Sequence, residues 1–121
     1  MENILSALCI PDEVLLMSCE LIVFVTAPNE DEARRLAETI ISERLAACVN
    51  IIPTLESLYW WEGKVNRDRE SLLVIKTTDD LYPSLETRIK DIHSYKTPEV
   101  IALKIELGSD DYLKWIRDST S

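Results

Sequence analysis

The sequence predicts an α+β fold of the ferredoxin-like kind, a β-α-β-β-α-β sandwich followed by a C-terminal helix. Three observations predict it. A continuously apolar run, "LIVFVT" at 21–26, leads straight into a helix pattern. A long β-rich stretch over 48–77 is broken once, by a Glu62-Gly63 turn signal, as a hairpin would be. A second helix pattern then precedes a further strand pattern. Strands and helices in that order make the split βαβ arrangement, an antiparallel sheet with both main helices on one face.

The first strand is apolar on every side and reads as a central strand covered on both faces. It ends at Ala27-Pro28. Asn29 and Glu32 stand as N-cap and N3 of the first helix, the spacing of a capping box. Glu30, Asp31 and Glu32 fill a first turn whose exposed N–H groups favour negative charge. Ala33, Leu36, Ala37, Ile40, Ile41 and Leu45 form one apolar stripe, while Glu30–Arg34 and Asp31–Arg35 are i,i+4 pairs.

The hairpin arms lie near 48–61 and 65–77, and Pro53, which cannot donate to a ladder, marks a bulge or an edge. The second helix runs from about Asp79 to His93, with Pro83 in its first turn, where a missing N–H matters least. Leu81, Leu85, Ile89 and Ile92 are its buried stripe. Thr97 precedes Pro98 and should be extended. The strand "VIALKIEL" at 100–107 puts Ile101, Leu103, Ile105 and Leu107 on one face. Ser109 caps a short last helix in which Leu113 and Ile116 lie one turn apart. All of this fits a single domain over 19–121, preceded by an N-terminal extension over 1–18 of which residues 1–16 are expected to be dispensable.

The hairpin points to more than one copy. An arm of 14 residues at about 3.3 Å each spans roughly 45 Å, against about 35 Å for the whole domain. Neighbouring strand residues face opposite ways, so Trp60 and Trp61 cannot both reach a core covered by helices on one side. Leu72/Val74 and Leu73/Ile75 repeat the conflict on the other arm. One set would be left facing water, which marks an interface unless the last helix or the extension covers it. An overhanging arm also leaves edges for another chain to pair with.

Composition excludes several classes. With 22 acidic against 13 basic residues the formal charge is −9, which repels nucleic acid and anionic membranes over most of the surface. Two glycines leave no glycine-rich phosphate loop. Three cysteines, Cys9, Cys19 and Cys48, form no CxxC pair and no disulfide framework. No run approaches the roughly 18 apolar residues of a membrane span, and the acidic N-terminus is a poor signal peptide. A cytoplasmic protein with reduced thiols is expected.

The residues carry a resemblance. "TAP" before the first helix, "ERLAACVN" after it, "YWWEGK" at the hairpin tip, "KTT", "HSYKTPE" and "DYLKW" occur in that order over about 21–116. The set resembles the CutA family of divalent-cation tolerance proteins. The resemblance implies a cytoplasmic homotrimer held by strand pairing of the long hairpins and an architecture like the PII signalling proteins. It also implies a role in tolerance to copper and other divalent cations, with no enzymatic activity. In the family the resemblance points to, copper binding is associated with a cysteine in the first strand and two consecutive histidines at the end of the second helix; here Val25 and Ile92-His93 stand at those places.

Candidate sites follow from the residues. His93, the single histidine, could ligate a metal or simply gain from the dipole of a helix end. Glu99 can return beside it through the Tyr95 turn and the Thr97-Pro98 step. Cys48 could join only through the fold or from a neighbouring subunit, or serve as a small buried hydrophobe. His93, Glu99 and Cys48 together would favour Cu²⁺ or Zn²⁺ over Mg²⁺. Tyr95, Trp61 and Lys64 are the candidate ligand cleft: the tip aromatics could stack on a ligand or pack an interface, and the basic tip could receive an anion or form local ion pairs. No cofactor is required, although Cu²⁺ or another divalent cation fits the set. With no Ser/His/Asp constellation, catalysis is not expected. Two readings stand: a metal-responsive trimer, and a PII-like sensor that binds a small ligand between subunits and signals to a partner protein.

Overall fold

A computed structural model describes residues 19–121; the extension at 1–18 lies outside the described residues. Strands β1 (Glu20–Ala27), β2 (Cys48–Trp61), β3 (Lys64–Thr78) and β4 (Val100–Lys104) form one sheet in the order β2-β3-β1-β4. Every neighbouring pair is antiparallel. Helices α1 (Glu30–Ser42) and α2 (Tyr82–Ile92) follow β1 and β3, and α3 (Asp110–Ser119) closes the chain. This is the split βαβ topology expected of a ferredoxin-like domain.

Alternation along the strands defines the two faces. Leu21, Val23 and Val25 of β1 and Leu73 and Ile75 of β3 point into a buried core completed by Ala33, Leu36 and Ile40 of α1 and Leu85 and Ile89 of α2. Glu20 must then point to the other face, and its carboxylate meets Arg117 of α3 at 2.9 Å. So α3 lies on the second face, where Ile116 is fully buried. It packs on β3 and β1, near the first residues of β1. It leaves the hairpin uncovered: Leu58 is 56% exposed, Trp60 74% and Trp61 49%.

Local signals explain the ends of the elements. The Asn29 side chain accepts the Glu32 N–H at 2.8 Å and caps α1. That helix ends in a Schellman turn, with Leu45 N–H on Ile40 O and Arg44 N–H on Ile41 O, which puts Arg44 at φ 58°. Glu62 and Gly63 both take positive φ, 52° and 77°, as a two-residue hairpin turn of type I′ requires. The β2–β3 register slips between Ile52 and Leu55, so the Pro53 signal is a bulge.

Four expectations are corrected. Ile41 is 42% exposed, because the α1 stripe is narrower than its apolar residues suggest. Asp31 pairs with Arg34 rather than Arg35, which turns to Glu32. α2 starts at Tyr82, after a turn in which Leu81 N–H bonds Thr78 O. β4 stops at Lys104, although Ile105 N–H still reaches Glu20 O, so the strand expected over 100–107 is regular only over its first five residues.

Candidate functional site

The candidate residues gather where β1 ends. Thr26, Ala27 and Pro28 lead into the Asn29 cap, and three neighbours crowd the same end of the sheet. β3 brings Ser71, paired with Ala27, and so the adjacent Glu70. The bulge of β2 brings Pro53, whose carbonyl accepts the Ser71 hydroxyl at 2.6 Å. The segment after α2 brings His93, Ser94 and Tyr95.

His93 is the C-cap of α2, with extended backbone (ψ 143°), rather than a residue of its last turn. Its side chain is 0% exposed. Nε2 lies 2.7 Å from Thr26 O, and Nδ1 accepts the Tyr95 N–H at 2.9 Å. Those two bonds assign the proton to Nε2. Glu32, only 6% exposed, closes the arrangement: its Oε2 accepts the Ser94 N–H at 2.9 Å and lies 3.5 Å from His93 Nδ1. The capping box is thus half made. Asn29 caps α1, while Glu32 turns inward to hold the end of α2.

Tyr95 packs on the His93 ring with centroids 4.8 Å apart and donates its hydroxyl to Glu70 Oε2 at 2.7 Å. Burial first, then that hydrogen bond, holds the Tyr95 hydroxyl well above the ordinary tyrosine range. Glu99 stands one position past the Val25–Val100 pair of the sheet, beside Thr26. Partial burial first, then the charge of Glu70, raises its carboxyl pKa. Further along the hairpin, Tyr59 donates to Asp68, and that bond is the main reason its hydroxyl is also raised. Between the β1–α1 turn and the hairpin root lies a cavity of about 440 Å³, lined among others by Pro28, Glu30, Pro53, Arg69 and Glu70.

The structure therefore brings His93, Tyr95 and Glu99 to one end of β1. It leaves Cys48 elsewhere. Cys48 pairs with Lys76, between the core residues Ile75 and Thr77, and so faces the side opposite the core. There its thiol meets Asn50 at 3.7 Å and affects Tyr112 of α3. Lys76 is opposite Ile22, four residues or about 13 Å along β1 from Thr26. As placed, both His93 nitrogens are engaged, and the three proposed ligands do not meet within one chain. Among the described residues no group of three or more His, Cys, Asp or Glu could hold a metal ion. Trp61 and Lys64 pair with each other at the hairpin tip, about 20 Å along β3 from Glu70, so one chain does not assemble them with Tyr95.

Glu70 and Glu32 are the site residues that the sequence reading did not single out. Glu32 was absorbed by the capping-box pattern. Glu70 sits in "NRDRESLL", where alternating charges read as a solvated strand and nothing local marks one carboxylate as buried.

The described residues together define a small α+β fold with a four-stranded sheet, an overhanging hairpin and a cavity at the hairpin root. A family model described as "CutA1 divalent ion tolerance protein" matches residues 21–119. The chain belongs to that family. It is 54% identical over 100 residues to the rice protein "Protein CutA 1, chloroplastic", covering 83% of this chain and 56% of that one. The chain thus spans little more than half of the rice relative. It is 48% identical over 101 residues to the "Divalent-cation tolerance protein CutA" of Thermus thermophilus, covering 84% of this chain and 98% of that one. The crystal structure of CutA1 from Oryza sativa superposes with a TM-score of 0.83 at 52% identity, covering 85% of this chain and 94% of that one. No helix among the described residues is long and apolar enough to cross a membrane.

Proposed function

We propose that this chain acts as a homotrimeric, non-enzymatic, cytoplasmic divalent-cation tolerance protein whose subunits are held together by their long hairpins. The observation that carries the reading is the exposed apolar surface of the hairpin, with Trp60 at 74% exposure and Leu58 at 56% in a single chain. Such a surface on a two-stranded arm is unstable in water and is covered by a further copy. The family membership and the relatives' names support the divalent-cation role.

Copper binding through His93 and Glu99, with or without Cys48 of a neighbouring subunit, is weak in this reading. Cu²⁺ must first displace the Tyr95 N–H from Nδ1, because Nε2 is already committed to Thr26. Affinity falls as acid protonates the ligands. A second reading, a PII-like sensor, is favoured by the cavity beside Tyr95, which a neighbour's Trp61 and Lys64 would complete.

Sedimentation velocity tests the assembly. The wild type should sediment as a trimer, and Trp60→Ala/Trp61→Ala should dissociate it, since each large aromatic removed from a packed interior costs roughly 3–5 kcal/mol. A wild-type monomer, or an intact trimer in the double variant, overturns the hairpin assembly. Cu²⁺ titration of the wild type and His93→Ala tests the metal part, and equal binding by the two removes His93 from it.

A further inference from the structure

The two ends of the hairpin make incompatible demands on its register. At the tip, the two-residue turn puts Trp61 opposite Lys64, and regular pairing from there brings Leu55 opposite Glu70. At the root, Val49 and Ile51 pack against the core opposite Ile75 and Leu73, and regular pairing from there brings Ile52 opposite Leu72. Pro53 and Thr54 are left to face Ser71 alone. β2 thus holds one residue more than β3 can match, and it must bulge somewhere between the core and the turn. Neither the core nor the turn says where.

The place matters because the surplus residue reverses the alternation of faces. Before it, Val49 and Ile51 point to the core. After it, Leu55, Tyr59 and Trp61 point the opposite way, while Glu56, Leu58 and Trp60 take over the parity of the core face. The ion pair of Arg67 with Glu56 at 3.6 Å fits that facing. A bulge on the tip side of Leu58 would turn over every residue from Leu55 to Leu58. A bulge also bends its strand and adds twist, so its place sets the direction in which the arm leaves the sheet.

Two features favour the observed place. Pro53 has no N–H, so leaving it out of the ladder costs no donor. Ser71 is fully buried and donates its hydroxyl to the Pro53 carbonyl at 2.6 Å. Ser71 is also where β1 stops: it pairs with Ala27, and beyond it, from Glu70 to Lys64, β3 has only β2 as a strand partner. The bond therefore falls at the point where the sheet ceases to support the hairpin. Because it grips a main-chain carbonyl, it acts whatever side chain stands at position 53.

We propose that the Ser71 hydroxyl is a latch on this bulge, fixing the angle of the arm and the faces that Leu55 and Leu58 present. That these faces dock on another copy rests on the trimer reading. The latch is a property of one chain, so a protein that sediments as a monomer overturns the trimer and leaves the latch standing.

Cross-strand nuclear Overhauser contacts in the isotope-labelled full chain read the register directly. The wild type should show one set, pairing Ile52 with Leu72 and Leu55 with Glu70. In Ser71→Ala the Ile52–Leu72 and Trp61–Lys64 contacts should persist, being set by the core and the turn. The Leu55–Glu70 contact should give way in part to one between Leu55 and Arg69, the displaced register rising about tenfold in population, the worth of one hydrogen bond. Ser71→Thr, which keeps the hydroxyl, and Pro53→Ala, which keeps the carbonyl, should each retain the wild-type set. An unchanged set in Ser71→Ala overturns the proposal. So does a divided set in Pro53→Ala, which would make the missing N–H the pin. If the arm contacts vanish altogether in Ser71→Ala, Ser71→Thr decides: contacts present there uphold the latch, and contacts absent there overturn it.

Discussion

Nε2 of His93 lies 2.7 Å from the carbonyl oxygen of Thr26, 67 residues earlier in the chain. With Nδ1 accepting the Tyr95 N–H, one neutral imidazole ties the end of β1 to the segment after α2. The side chain is inaccessible to water, so its loss leaves both a hole and unmatched polar groups. His93→Ala should cost about 2–4 kcal/mol in urea unfolding. His93→Gln should recover part of that, because an amide can still donate toward Thr26. An unchanged midpoint for His93→Ala would make the ring dispensable to the fold.

Tyr95→Phe isolates the hydroxyl on Glu70. The folded protein holds that proton more tightly than the unfolded chain, which releases it near pH 10. Bound protons then outnumber those of the unfolded state above that pH, and stability falls as pH rises through the window. Phenolate absorbance should show one tyrosine ionising after the others, only as the protein unfolds in alkali. That component should vanish in Tyr95→Phe, and the alkaline slope of stability should flatten. A titration curve of the same shape in both proteins contradicts the Tyr95–Glu70 bond.

Glu99 gives the opposite design. Its carboxyl is raised by burial and by Glu70, so the folded state favours its neutral form. Ionised Glu99 is therefore a small liability at neutral pH, and the liability disappears as pH falls below the ordinary Glu value of about 4.3. Glu99→Gln should raise the melting temperature slightly near pH 7 and leave it unchanged near pH 4. A loss of stability at neutral pH would mean that Glu99 meets a cation in the assembled protein.

These residues also show how far the sequence carried. The β1 run, the Asn29 cap, the Glu62-Gly63 turn and the Pro53 bulge are local signals, decided within a few residues, and each appears in the structure. The arms near 48–61 and 65–77 match β2 and β3 for the same reason. The site depends on long-range pairing. Nothing within ten residues of Glu70 says that a tyrosine 25 positions on will cover it. Cys48 shows the converse: its distance from His93 follows from sheet register and face, which composition does not contain. The buried setting of His93 at the α2 C-cap likewise involves Thr26, a partner 67 residues away in β1.

Glu32 offers the sharpest separation between a local and a tertiary role. A capping-box glutamate returns to the N-cap N–H and acts within its own helix. Here its carboxylate instead accepts the Ser94 N–H and lies 3.5 Å from His93 Nδ1, with Arg35 at 3.8 Å on its outer side. Asn29→Ala should cost about 1 kcal/mol, the usual worth of an N-cap, and should add to His93→Ala. Glu32→Ala should cost about 1.5–3 kcal/mol, the value of a hydrogen bond to a charged group in a buried setting. It should not add to His93→Ala, because both substitutions loosen the same segment after α2, which Glu32 holds through Ser94 and His93 holds through Thr26 and Tyr95. A double-mutant cycle by denaturant unfolding should return a coupling above about 0.5 kcal/mol for Glu32 with His93 and near zero for Asn29 with His93. Additivity in both cycles would return Glu32 to the role of a local cap and detach the α1 N-terminus from the site.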